Sequence, residues 1–176
     1  MDWLDIKEFF KDTFKYIILI VIVLLVAVYI VSLQQIVGSS MSPTFNDGDI
    51  IILDKISPKF IQVKRGDIIS FKHSNTKYLI KRVIGVPGDY VELKNNKLYI
   101  DGNYIEESYL GDVINKDFSL TELGYETIPD GMYLVLGDNR EDSLDSRDSN
   151  VGLIKKEDII GKVRVRIWPL NKFKIM

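Results

Sequence analysis

The sequence contains no cysteine, which excludes disulfides, thiolate metal sites and a cysteine nucleophile together. It contains a single histidine, His73, so any Ser-His-Asp chemistry would have to run through that one residue. His73 lies in the polar stretch His73-Ser74-Asn75-Thr76-Lys77, which reads as an exposed hairpin tip rather than a catalytic centre. No basic block is present and the formal net charge is −2, so nucleic acid has no electrostatic footprint here. Internal repeats and low-complexity linkers are absent too, and 176 residues suit one domain plus an anchor. With 46% hydrophobic and 27% charged residues, the chain is not a disordered one.

Charge is also missing from residues 16–33, a run of ~18 positions close to the ~20 that a bilayer-spanning helix needs. The run has no polar stripe, as a buried core helix would. It exceeds the ~7–15 apolar residues of a cleavable leader and ends without a small-x-small site. Residues 16–33 are therefore expected to form a retained transmembrane anchor. Lys7, Lys11 and Lys15 precede the run, whereas residues 34–54 hold no Lys or Arg. The basic side stays in the cytoplasm, so everything after about Gln34 is expected on the extracytoplasmic face. Residues 1–15, with Trp3, Phe9, Phe10 and Phe14 among charges, form a short cytoplasmic segment that can lie along the membrane surface.

From residue 34 to 176 the pattern changes to short strands and turns. Segments 49–54, 67–72, 78–85, 90–94, 97–101, 132–137 and 162–168 are rich in Ile, Val, Leu and Tyr. In the last of them Val163, Val165 and Ile167 alternate with Arg164 and Arg166, as a half-buried strand requires. Asn95-Asn96 suits a tight hairpin, because Asn tolerates positive φ. Asp101-Gly102, Pro87-Gly88 and Asp130-Gly131 mark further turns. A short helical turn is expected near residues 155–160, and residues 118–125 fit no pattern. The expected fold is mostly β, with antiparallel sheets folded into a barrel-like or sandwich domain behind one N-terminal transmembrane helix.

Three segments can carry chemistry. Gly38-Ser39-Ser40-Met41-Ser42-Pro43-Thr44 combines small residues with a proline, a tight loop able to present a hydroxyl beside backbone donors. Taken alone it is equally a simple loop. Within Tyr78–Gly85, strand alternation puts Lys81 on the face of Leu79 and Val83. A lysine there is either buried, at a cost to its charged form, or snorkelling at a sheet edge; the segment alone does not separate the two. Finally, Gly137-Asp138-Asn139-Arg140-Glu141-Asp142-Ser143-Leu144-Asp145-Ser146-Arg147 mixes acids and arginines. It lacks the central Gly and late Glu of a calcium loop, and its Ser and Asp–Arg pair can organise a site beside Lys81. Arg65-Gly66-Asp67 resembles an integrin-binding tripeptide but reads as a turn before a strand.

In order along the chain, these segments resemble the sequence boxes of type I signal peptidases of the bacterial serine–lysine class. Ser40-Met41-Ser42-Pro43-Thr44 is similar to the nucleophile box, and Arg65-Gly66-Asp67-Ile68-Ile69-Ser70-Phe71-Lys72 to the structural box after it. Ile80-Lys81-Arg82-Val83-Ile84-Gly85-Val86-Pro87-Gly88-Asp89 resembles the lysine box, and Gly137-Asp138-Asn139-Arg140 with Ser143, Asp145, Ser146 and Arg147 the last. The match covers nearly the whole chain, from the apolar run through Pro169.

The resemblance implies a membrane-anchored serine endopeptidase with Ser40 as nucleophile and Lys81 as general base. Ser143 is implied to hydrogen-bond and orient Lys81, Asp145 with Arg147 to brace the site, and Met41 and Ile80 to help line the substrate pocket. Exported preproteins cut after Ala-x-Ala-like motifs, and membrane lipid, are the implied partners; nucleic acid is not one. No metal or cofactor is implied, and a monomer is expected. The chain departs from the family's pattern at two places. Gly38 stands where some members carry a serine that helps hold the oxyanion, which leaves the second donor open. Glu141-Asp142 stands where Asp-Asn is commoner, a change not expected to matter. Two other readings compete: the self-cleaving Ser–Lys domain of SOS-response repressors, which is soluble and has no anchor, and a non-enzymatic surface-anchored β module.

Overall fold

The computed structural model describes residues 3–74, 77–111 and 115–176, and of residues 3–6, 27 and 28 only the backbone. Asp2 of the N-terminal segment and Asn75-Thr76 of the expected hairpin tip lie outside the described residues. Helix α1, Trp3–Tyr29, runs for 27 residues with neither Pro nor Gly to interrupt it. It stops where the chain turns directly into strand β1, Val31–Gln35. The sheet thus begins at Val31, so Val31, Ser32 and Leu33 of the 16–33 run belong to β1 rather than to the helix. The purely apolar part of α1 is thus ~14 residues against the ~20 of a spanning helix. Among the described residues no helix is long and apolar enough to cross a membrane.

Most expected strands form within a residue or two. After β2 (Ile50–Asp54) comes a single helical turn, α2 (Ser57–Phe60), opened by Pro58. Then follow β3 (Ile68–Lys72), β4 (Tyr78–Gly85), β5 (Val91–Lys94), β6 (Lys97–Ile100), β7 (Asn103–Ile105) and β8 (Phe118–Ser119). Asn95 and Asn96 both have positive φ, 51° and 63°, closing the expected hairpin. The unassigned stretch near 118–125 is β8 plus a 3₁₀ turn, Leu120–Leu123, opened by a Ser119/Glu122 capping box. The chain ends with β9 (Met132–Leu136), β10 (Ile154–Lys155), a 3₁₀ turn at Lys156–Asp158, β11 (Ile159–Trp168) and β12 (Lys174–Ile175).

Every pairing is antiparallel. One sheet runs β1-β2-β11-β3-β4-β9-β10 with β12 beside β11, and a smaller one runs β7-β6-β5-β8. The expected barrel-like closure does not form: β1 and β10 are not paired to each other but end the large sheet. Alternation distributes the core. Leu134 and Leu136 of β9 pack with Leu93, Leu98 and Ile100 of the small sheet, while Tyr133 and Val135 turn to Ile69, Phe71 and Val83. A third cluster joins Met41 and Phe45 to Ile51, Leu53 and Ile68, fixing the loop after β1 against the sheet.

Candidate active site

Ser40 sits in the tight loop after β1, at a turn allowed by Gly38, whose φ is +88°. Met41 and Phe45, 1% and 0% exposed, nail the following residues into the core. Lys81 comes from β4, opposite Ile69 of β3, and is 2% exposed. The open choice between buried and snorkelling lysine resolves to burial. Lys81 Nζ donates to Ser40 Oγ at 2.7 Å and to Ile80 O at 3.0 Å. Burial pushes the amine down to about 8, against the charges of Asp145 and Asp138, which raise it, while Lys77 lowers it further. The pair therefore holds a hydroxyl against an amine that loses its proton near pH 8 rather than above 10.

Segment 137–147 closes the site from the side of β9. Asn139 N–H donates to Ser40 O at 3.1 Å, its Nδ2 to Ser39 O at 3.3 Å, and Ser39 Oγ donates to Asp142 Oδ2 at 2.8 Å. Asp142, at the departure not expected to matter, thus holds the residue before Ser40. Gly38 N–H donates to Asp47 Oδ1 at 2.7 Å. The Gly38 N–H and the Ser39 hydroxyl are both engaged, and among the described residues the Ser40 N–H makes no hydrogen bond.

Asp145 is fully buried and accepts from Gly137 N–H at 2.9 Å. Arg147 grips it with Nε to Oδ1 and Nη2 to Oδ2, both at 2.8 Å. The expected brace pair is formed. The expected bond from Ser143 to Lys81 is not: Ser143 Oγ is buried without a hydrogen-bond partner among the described residues. It is crowded instead against Gly137, where a Cβ would collide with Ser143 Oγ and lie 2.5 Å from Ser40 O.

Sequence reasoning missed a second tier. Arg82, on the face opposite Lys81, forks onto Asp138, donates to Gly66 O and Thr44 Oγ1, and has its guanidinium 3.8 Å from the Tyr109 ring centroid. Arg140, fully buried, is held by Glu107, Asn115 and Gly137 O. The available signal was the alternation itself, which turned Arg82 away from Lys81 into the fold; Glu107 carried none. His73 lies in the turn between β3 and β4, and Gly66 (φ +89°) forms the turn expected of it.

A groove of about 590 Å³ opens beside Ser40 and Lys81, between residues 33–37 and 77–81. Ile80 and Met41, the two residues the resemblance implied for a substrate pocket, are among those that line it. Its two walls are free strand edges. Among the described residues β1 pairs only with β2, and the first half of β4 pairs only with β3, since β9 joins at Arg82. Among the described residues no group of side chains could hold a metal ion.

The chain has counterparts among known proteins. The sequence profile of the family described as "Signal peptidase, peptidase S26" matches residues 7–168. Signal peptidase IB from Staphylococcus aureus is 39% identical over 181 residues, covering 96% of this chain and 94% of that protein. Signal peptidase I from Bacillus caldolyticus is 36% identical over 176 residues, covering 95% and 96%. The crystal structure of a signal peptidase I from Enterococcus faecalis superposes with a TM-score of 0.52 at 39% identity, covering 57% of this chain and 95% of that one.

Proposed function

Because the chain belongs to the signal peptidase S26 family, as a serine endopeptidase of type I, we propose that Ser40 and Lys81 are the dyad that cuts signal peptides from exported preproteins. The observation that carries this reading is the 2.7 Å contact between Lys81 Nζ and Ser40 Oγ inside a buried site. Neutral Lys81 takes the Ser40 proton as Oγ attacks the scissile carbonyl. The Ser40 N–H, uncommitted in the free enzyme, donates to the tetrahedral oxygen; losing one such donor typically costs ~3–4 kcal/mol of barrier. The Lys81 ammonium then passes its proton to the leaving amine, and the peptide carbonyl remains esterified to Ser40. Lys81, neutral again, deprotonates the water that releases the cleaved signal peptide.

The substrate lies extended between the free edges of β1 and β4, bonding through its backbone to both. Alternate side chains then point into the groove floor near Met41 and Ile80, where small residues fit, supporting cleavage after small-x-small motifs. Residues 17–26 of α1 are exposed apolar side chains throughout, more than a monomeric soluble surface carries. The whole of α1, 27 residues or ~40 Å, exceeds the ~30 Å hydrocarbon core although its purely apolar part does not fill it. In this reading α1 holds the enzyme in the membrane, with its lysine-bearing start in the cytoplasm and the β domain on the extracytoplasmic face. The test is incubation of purified full-length protein with a preprotein and mapping of the cleaved bond. Cutting after a small-x-small site, abolished in Ser40→Ala, is expected; cutting elsewhere, or by Ser40→Ala, overturns the reading.

A further inference from the structure

We propose that Lys77 is a specificity-determining residue of the groove: a fixed cation that favours substrates with an acidic side chain about five residues before the cut and disfavours those with a basic one there. The proposal deepens the function reading and rests on it, with the substrate extended in the groove and its scissile bond at Ser40.

Charge in the groove has one sign. Among the described residues that line it, only Lys77 and Lys81 bring a charge, and no acid is present. Gln34 and Gln35 on the opposite wall are polar but neutral. In the function reading Lys81 acts as a base in its neutral form, so it carries no charge when the substrate is attacked. Lys77 is then the one charge a substrate meets. It is exposed, and among the described residues it has no ion-pair partner. Its charge is therefore open to a visiting carboxylate.

The backbone fixes where that charge stands. Lys77 leads directly into β4, and its carbonyl accepts from His73 N–H at 2.9 Å and from Ser74 N–H at 3.2 Å. Alternation gives Lys77, Leu79 and Lys81 one face, and the Lys77 charge is felt at Lys81, whose value it lowers. Lys77 precedes Lys81 by four residues, or ~13 Å at ~3.3 Å per residue. An extended substrate rises at the same rate. With the residue at the cut beside Lys81, the fifth residue before the bond lies beside Lys77. An exposed ion pair of this kind is worth a factor of ~2–5 in binding, and repulsion of a cation a similar factor.

The test uses the full chain in detergent and short peptides carrying an Ala-x-Ala site, with Asp, Ala or Lys at the fourth, fifth or sixth residue before the bond. At one of these positions Asp should exceed Ala, and Ala exceed Lys, by ~2–5-fold each in kcat/KM, chiefly through KM. Lys77→Glu should invert the order and Lys77→Met flatten it. Each comparison is a ratio within one enzyme, so a variant's overall loss of activity does not blur it. Raising salt from ~0.01 M to ~1 M cuts the screening length from ~30 to ~3 Å and should erase the preference. Equal values for the three peptides at every position overturn the proposal. So does an Asp preference that Lys77→Glu retains, or one that high salt leaves intact. Binding of the same labelled peptides to Ser40→Ala should follow the same order, which decides the preference even where no cleavage occurs. Cleavage by Ser40→Ala, or none by the wild type, overturns the function reading instead.

Discussion

Arg82 grips Asp138 through two parallel hydrogen bonds, Nε to Oδ1 at 2.8 Å and Nη2 to Oδ2 at 2.6 Å, with both side chains nearly sealed from solvent. The same guanidinium reaches Thr44 and Gly66, so one ion pair ties the Ser40 loop, the turn before β3 and the end of β9 together. Breaking a buried pair on one side leaves an uncompensated charge, typically costing ~3–5 kcal/mol. Asp138→Ala should therefore lower the melting temperature sharply, and Arg82→Leu combined with it should cost less than the two singles summed. Calorimetry of the three variants checks this.

The proposed dyad makes a kinetic prediction. Ser40→Ala, Lys81→Ala and the double variant should be about equally inactive, since residues acting as one unit lose activity non-additively. Preprotein cleavage assays decide it: substantial turnover by either single variant would remove that residue from the chemistry.

Lys81 also links activity to stability. Burial lowers its folded value from 10.5 to about 8, so between those values the unfolded chain binds more protons than the folded one. Stability should rise with pH across that window, and the penalty should be complete below about 8. At ~1.4 kcal/mol per pH unit the full penalty is on the order of 3 kcal/mol. Lys81→Met should abolish cleavage yet be more stable than wild type near neutral pH, with the gap closing toward pH 10.5. Denaturant melts across pH test this; a less stable Lys81→Met at every pH would mean a charged structural lysine.

Asp145 raises the Lys81 value through its charge, and Arg147 is its ion-pair partner. Asp145→Asn keeps an acceptor for the Gly137 N–H but removes that charge. The midpoint of the rate–pH profile should move to lower pH, and the unpaired Arg147 should cost on the order of 3 kcal/mol. An unmoved midpoint would show that Asp145 only supports the loop.

Gly137 is surrounded by Ser143 and the Ser40 carbonyl, with no room for a methyl group. Gly137→Ala should displace the Ser40 loop and depress kcat far more than KM. Wild-type turnover would show that the loop yields freely.

Strands with clean alternation or a continuous apolar run, β2 to β6, β9 and β11, were legible because burial on one or both faces writes itself into residue order. The two-residue strands β8, β10 and β12 were not, since a pair that short has no period. The end of α1 was hard to read for a related reason: Val31-Ser32-Leu33 continues the uncharged run of the helix, and only pairing with β2 makes it sheet. Ser40, Lys81, Asp145 and Arg147 were legible by resemblance and come together in space. The Ser143 bond was not realised, because its hydroxyl points to a crowded glycine. The contacts of Asp142, Asp47 and Glu107 were invisible, being set by loops that meet only after folding.

The two unpaired edges that wall the groove have a consequence for how many clients one such enzyme can serve. A strand edge offers amide and carbonyl groups at a fixed spacing and is indifferent to which side chains the visiting segment carries. In the proposed reading, selection falls on the few positions whose side chains turn toward Met41, Ile80 and Lys77, together with the requirement that the segment be able to straighten. On that reading, everything else in a client's cleavage region could drift without losing its place in the cleft, and a single copy would serve many exported chains that share a shape and few residues.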